Sequence, residues 1–169
     1  LWQVDAVFAP SAAVFPNGVH SCEVEIDPET GVVEVTRYRA IEDVGHVWNA
    51  DLVAGQLHGG IVMGLAQALG EAVHYDADNQ LISGSLMDHY LPRAADMPKF
   101  GLETLDIATG RNPLGAKGVG EAGTVGALAA AISAVADALA GQGVTQTPLP
   151  ATPLRVWRAL CEAAVGPRA

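Results

Sequence analysis

Ser21-Cys22-Glu23-Val24-Glu25-Ile26, then Asp27-Pro28-Glu29-Thr30-Gly31, then the run from Val32 to Ile41, is the stretch on which the fold class turns. Cys22, Val24 and Ile26 fall on one side of an alternating pattern, the period of a half-buried strand. Asp27 to Gly31 reads as a turn, because proline presets a negative φ and glycine can take a positive one. The return run completes a β-hairpin. Downstream the period changes: Leu57, Ile61, Leu65 and Leu69 recur every four residues, which predicts a helix over about 51–73. Gly55, Gly59, Gly60, Gly64 and Gly70 lie in that stretch. Each interior glycine costs a helix about 1 kcal/mol relative to alanine, so the pattern predicts a face that another backbone or a ligand approaches closely.

From Asp76 to Pro98 the sequence breaks into Asn, Ser, Gly and Pro and predicts connecting loops. Phe100 to Ile107 alternates as a strand, and Gly110 to Gly120 forms a glycine-rich loop that runs into an alanine-rich helix over about 121–140. Thr152 and Pro153 suit the N-cap and first position of a last helix, whose expected apolar stripe is Leu154, Trp157, Leu160 or Cys161, and Ala164. No internal repeat is apparent. The expected class is α+β: a hairpin and short mixed sheet packed with glycine-rich and alanine-rich helices.

With 169 residues, half of them hydrophobic, the chain can bury one sizeable core. Nineteen acidic against nine basic residues give a net charge of -10, which repels phosphate backbones and anionic headgroups and argues against nucleic acid as a partner. Gly, Asp, Glu or His interrupts the apolar runs before they reach the ~20 residues of a bilayer span. Leu1-Trp2-Gln3-Val4 shows neither an initiator methionine nor a secretory layout, so the expectation is a processed or truncated piece of a longer polypeptide. Cys22 and Cys161 are too far apart in sequence for a CxxC pair and are expected to be reduced core thiols of a cytoplasmic protein. The five histidines are scattered with no HExxH pattern, so no metal ligation by side chains is expected.

The strongest chemical signal is Gly115-Ala116-Lys117-Gly118-Val119-Gly120-Glu121-Ala122-Gly123, a flexible loop that delivers a carboxylate to a helix start. The helix N-terminus favours the ionised form of such a group, while burial in a closed site favours the neutral one; between the two it can be poised as a general base. A glutamate at a helix start more often faces water, and it is the surrounding glycines that favour a site. Gly118-x-Gly120-x-x-Gly123 also matches the dinucleotide-binding string, but Arg111-Asn112-Pro113 stands where an apolar strand should end. The ribose-binding acid that should follow is missing too, since Asp137 falls inside the helix. Lys117 is followed by Gly118, not by Ser or Thr, so a P-loop also fails.

The run from Gly115 to Gly123 resembles the segment that carries the essential glutamate in the molybdenum-binding subunits of the xanthine dehydrogenase, aldehyde oxidase and carbon monoxide dehydrogenase family. Four further blocks, in the family's order, extend the resemblance over nearly the whole chain, the first three being Phe15-Pro16-Asn17-Gly18-Val19-His20 with its hairpin, Gly55-Gln56-Leu57-His58-Gly59-Gly60, and the Asp88-to-Pro98 loop. Thr152-Pro153-Leu154-Arg155-Val156-Trp157 closes the series. The resemblance implies that residues 1–169 are a C-terminal segment of a larger molybdopterin-binding domain, within a catalytic subunit several times longer. It implies a molybdenum cofactor held by molybdopterin, in the cytosine dinucleotide form, with no protein ligand to the metal.

On the same resemblance, Glu121 is the general base that activates the molybdenum hydroxide, and the backbone of Lys117, Gly118, Val119 and Gly120 approaches the pterin and its phosphates. Gln56 matches a family glutamine near the cofactor, although an amide there could equally face water. Iron–sulfur clusters and FAD are expected on other domains or subunits, and an oligomeric assembly with them. Gly120-Glu121-Ala122-Gly123-Thr124 looks closer to relatives acting on aldehydes or N-heterocycles than to the carbon monoxide-oxidising enzymes proper. His58, Asp88 and His89 read as loop or interface residues, because Ser83 or Ser85 with His89 and Asp88 makes a poor hydrolase triad without a G-x-S-x-G elbow. Two other functional classes compete with this reading: a non-catalytic interaction or assembly module that shares the fold, and a nucleotide-binding enzyme.

Overall fold

The hairpin forms as expected. In the computed structural model, which describes residues 2–10 and 12–165, β1 (Asn17–Ile26) pairs antiparallel with β2 (Val33–Asp43), in a register running from Asn17↔Asp43 to Ile26↔Val33 with a bulge between Glu23 and Val24. The turn is closed by Asp27, whose carboxylate accepts from the Glu29 N–H at 2.9 Å and the Thr30 hydroxyl at 2.6 Å. Gly31 takes φ +72°, and a Cβ there would lie 2.2 Å from the Pro153 carbonyl oxygen. Both strands run further than the apolar alternation indicates. The inward positions that extend them are Gly18, His20 and Glu42, and a hydrophobic pattern is blind to them.

β3 (Phe100–Leu105) adds to β2 in parallel, Tyr38↔Phe100 through Asp43↔Leu105, which makes the three-stranded mixed sheet β1-β2-β3. A parallel pair needs a crossover. Here it contains α1 (Ala50–Leu69), which is capped by Asn49, whose side chain accepts from the Leu52 N–H at 3.0 Å. The helix stops at Leu69, short of the expected Val73, as the Gly70 and Glu71 N–H groups both turn back onto the Ala66 carbonyl and the Tyr90 ring packs over Gly70.

α2 (Ala122–Ala140) crosses α1 at close range, and Ile61 and Leu65 meet Ala127 and Ala131 in the core around Tyr38. A Cβ on Gly64 would lie 2.7 Å from the Ala127 Cβ, and one on Gly123 would lie 2.7 Å from the Leu57 carbonyl oxygen. The expected backbone approach therefore holds at Gly60 and Gly64. It does not hold at Gly55 and Gly59, where a Cβ would meet nothing within 4 Å. α1 and α2 are long and apolar enough to cross a bilayer by length and composition alone; they pack against one another, and α2 packs also against β1.

α3 (Pro153–Val165) begins where expected, with the Val156 N–H bonded to the Thr152 carbonyl at 3.0 Å, but it buries a different face. Val156 is fully buried and Leu160 partly, against Val135, Leu139 and Ala151, whereas Leu154 and Trp157 stay 54% and 40% exposed. Leu160 belongs to the expected stripe and is partly buried as expected, while Val156 takes the inward place expected of Leu154 and Trp157. Cys161 lies on the exposed side, so it is not a core thiol; Cys22 is half-buried, and burial pushes its thiol up to about 11.

Candidate functional site

The site is organised by the end of β2. Glu42 and Asp43 are consecutive in a strand and so point to opposite faces, yet both are buried, at 3% and 7% exposure. Burying a carboxylate is costly unless it is paired and hydrogen-bonded, and each acid has found a partner from a distant part of the chain. Glu42 meets His20 Nε2 at 2.5 Å, and His20 Nδ1 meets the Tyr38 hydroxyl at 2.5 Å. Tyr38 is fully buried, and burial pushes its phenol well above the usual range. The pair is sandwiched by glycines: a Cβ on Gly18 would lie 2.3 Å from the Glu42 carboxylate, and one on Gly126 would lie 2.5 Å from the His20 ring.

Asp43 serves the other face. One of its carboxylate oxygens accepts from the Gly45 N–H at 3.0 Å and the other from the Lys117 ammonium. The hydrogen bond from Lys117 is the main reason the carboxyl sits below the ordinary range. Backbone contacts fix the same joint. The Lys117 N–H donates to the Val44 carbonyl at 2.8 Å, the His46 N–H donates to the Gly115 carbonyl at 2.9 Å, and the Asn112 side-chain amide donates to the Ala116 carbonyl at 2.8 Å. The loop is therefore pinned to β2 as far as Lys117, and the glycine run continues from there.

Beyond Lys117 the chain forms one wall of a cleft of about 590 Å³. Gly118 to Gly120 and Glu121 line that wall, Pro16 and Val125 supply apolar surface, and His20 and Glu42 also line the cleft. Glu121 occupies the N-cap position of α2, as the loop-to-helix junction predicted, but it is exposed and not enclosed, and its side chain makes no capping bond. Its carbonyl accepts from the Val125 N–H at 3.1 Å, so the backbone is fixed while the carboxylate is free to serve the cleft. Gln56 is on the second turn of α1, exposed, with its amide nitrogen 3.8 Å from where a Gly120 Cβ would stand.

Of the residues singled out in the sequence, the structure thus gathers Glu121, Gly118, Val119 and Gly120 in one wall with Gln56 beside it. Lys117 leads into this wall through its backbone but turns its ammonium away, to Asp43. His58 lies elsewhere, against the Ala54 carbonyl at 2.7 Å, and the Ser85 hydroxyl bonds Asp88 at 2.6 Å with no serine–histidine side-chain bond among the described residues. Among those residues no group of three or more His, Cys, Asp or Glu side chains is placed to hold a metal. The sequence reading missed His20, Tyr38, Glu42 and Asp43. The available signal was a pair of acids at the end of a strand, where solvent-facing side chains are the ordinary expectation.

A mixed sheet thus has an acidic strand end that pins a glycine loop, which in turn carries a glutamate to a helix N-terminus beside an open cleft. The chain belongs to the molybdopterin cofactor-binding domain family, whose model matches residues 3–98. It is 37% identical over 155 residues to the carbon monoxide dehydrogenase large chain of Hydrogenophaga pseudoflava, covering 92% of this chain and 19% of that one. It is 40% identical over 154 residues to the 6-hydroxypseudooxynicotine dehydrogenase complex subunit gamma of Paenarthrobacter nicotinovorans, covering 90% and 19%. Its fold matches the reconstituted CO dehydrogenase from Oligotropha carboxidovorans with TM-score 0.84 and 33% identity, over 89% of this chain and 19% of that one. The chain therefore spans about a fifth of the length of these relatives.

Proposed function

We propose that this chain supplies the catalytic base and one wall of the cofactor pocket of a molybdenum hydroxylase, an enzyme that oxidises an aldehyde, an N-heterocycle or a similarly electron-poor carbon with oxygen derived from water. The observation that carries this reading is Gly118. It has no positive φ, and a Cβ there would meet nothing within 4 Å, so neither backbone conformation nor internal packing requires a glycine. Gly55 and Gly59, on either side of Gln56, are equally open, although each costs α1 about 1 kcal/mol of helix propensity. Glycines without an internal reason fit a large ligand that lies close against the backbone.

A molybdopterin suits these residues. Backbone N–H groups along Gly118 to Gly120 can donate to anionic oxygens, and the Gln56 amide can both donate and accept. When bound, the cofactor would supply the redox-active metal and carry away two electrons from the substrate. Glu121 is the group that accepts the proton released as the oxygen nucleophile attacks. Val119, Val125 and Pro16 give the cleft an apolar lining that suits an uncharged planar substrate. The cytosine dinucleotide form of the cofactor, iron–sulfur and flavin centres on other domains or subunits, and an oligomeric assembly complete this proposal, as does the placement of residues 1–169 as the C-terminal segment of the domain.

Cofactor analysis of the native complex tests it. Molybdenum and a molybdopterin near one per catalytic subunit are expected, with cytidine monophosphate released on hydrolysis. A stable complex without molybdenum would support the assembly module instead, and bound nicotinamide or ATP would support a nucleotide enzyme.

A further inference from the structure

Lys117 is the cation next to the Gly118–Gly120 run, and a lysine in that place invites the reading of a phosphate ligand. Its geometry is otherwise. The ammonium donates to Asp43, the two side chains are only 11% and 10% exposed, and Lys117 does not line the cleft. Asp43 uses both of its oxygens at this joint, one for Lys117 and one for the Gly45 N–H, while Gly45 bridges to Ala116 and the Val44 carbonyl accepts the Lys117 N–H. The Asp43 carboxylate thus holds Lys117 by its side chain while Val44 and Gly45 hold the loop by its backbone, five residues before α2 begins.

We infer that Asp43 is a positioning residue for the glycine loop and for Glu121, and that Lys117 is its buried counter-ion and not a ligand. Recognition of an anionic ligand in the cleft then falls to the backbone N–H groups of Gly118 to Gly120. The ligand half of this inference rests on the cofactor reading above; the anchoring half does not.

The physics of buried ion pairs provides the test. Removing one partner leaves an unpaired buried charge and is strongly destabilising, while removing both charges is far less so. A lysine that binds ligand behaves differently, since its loss weakens binding whatever stands at position 43. In the complete enzyme complex, Asp43→Asn keeps an acceptor for the Gly45 N–H but strands the ammonium, and Lys117→Met strands the carboxylate. Each single change lowers Tm and cofactor content. In subunits that still hold molybdenum, turnover per molybdenum falls with KM unchanged, because Glu121 rides on a displaced loop. The double variant regains Tm, cofactor content and turnover per molybdenum together.

Recovery of Tm without recovery of cofactor content makes Lys117 a ligand and overturns the inference. So do single variants with unaltered Tm, and single variants whose turnover per molybdenum equals that of the unmodified enzyme. A complex that contains no molybdenum before any substitution defeats the cofactor reading, and the Tm comparison of the three variants still decides whether Asp43 anchors the loop.

Discussion

Glu121→Gln in the complete enzyme lowers turnover by about 10²–10⁴-fold with molybdenum content at the level of the unmodified enzyme, the range that general-base catalysis typically contributes. The separation of the two readouts follows from the geometry. The Glu121 side chain makes no capping hydrogen bond and is exposed at the N-cap of α2, so glutamine breaks no internal contact there. Size and hydrogen-bonding capacity are preserved, and only the ability to hold a proton is lost. Because the backbone N–H groups of Gly118 to Gly120 are untouched, cofactor loading stays as it was and the loss falls on kcat. Assay of kcat and metal content on the same preparation checks this, and a fully loaded variant with near-normal turnover would remove the base from the account.

The second large effect is structural. Gly123→Val disrupts the α1–α2 crossing, because even the Cβ would stand 2.7 Å from the Leu57 carbonyl oxygen and 2.9 Å from the Ile61 nitrogen, both of them α1 backbone atoms. A flexible side chain could give way, but a hydrogen-bonded helix backbone cannot, so α2 must slide. Overpacking of this kind costs about 1–3 kcal/mol. It also moves the helix N-terminus that presents Glu121 two residues away. A fall in Tm together with reduced cofactor loading is expected in the complete enzyme. A variant with the Tm and loading of the unmodified protein would show that the crossing is looser than the contacts at Gly60, Gly64 and Gly123 imply.

The sequence made the hairpin, the three helices and the position of Glu121 legible, because each depends on local information: alternation, four-residue spacing, a proline–glycine turn, a glycine run ahead of an alanine-rich segment. What it hid depends on partners distant in the chain. Glu42 pairs with His20 across the hairpin, and Asp43 pairs with a lysine 74 residues away, so no window of sequence contains the reason these acids are buried. The helix glycines show the same limit. Propensity marks Gly55, Gly59, Gly60 and Gly64 alike, and only the path of α2 separates the two that touch backbone from the two that stand open. In α3, Val156 and Trp157 are both apolar neighbours in sequence, and only the contact with Val135, Leu139 and Ala151 shows which of them turns inward.

On the proposed function, the Gly118–Gly120 wall faces the cofactor and Glu121 reaches the reacting centre from it. A crystal structure of the complete subunit with its cofactor tests this most directly. It should place the backbone N–H groups of Gly118 to Gly120 within hydrogen-bond distance of the molybdopterin, the Glu121 carboxylate beside the metal, and the Lys117 ammonium still on Asp43. A cofactor bound elsewhere, with the cleft filled by another segment of the subunit and Glu121 directed into solvent, would contradict it.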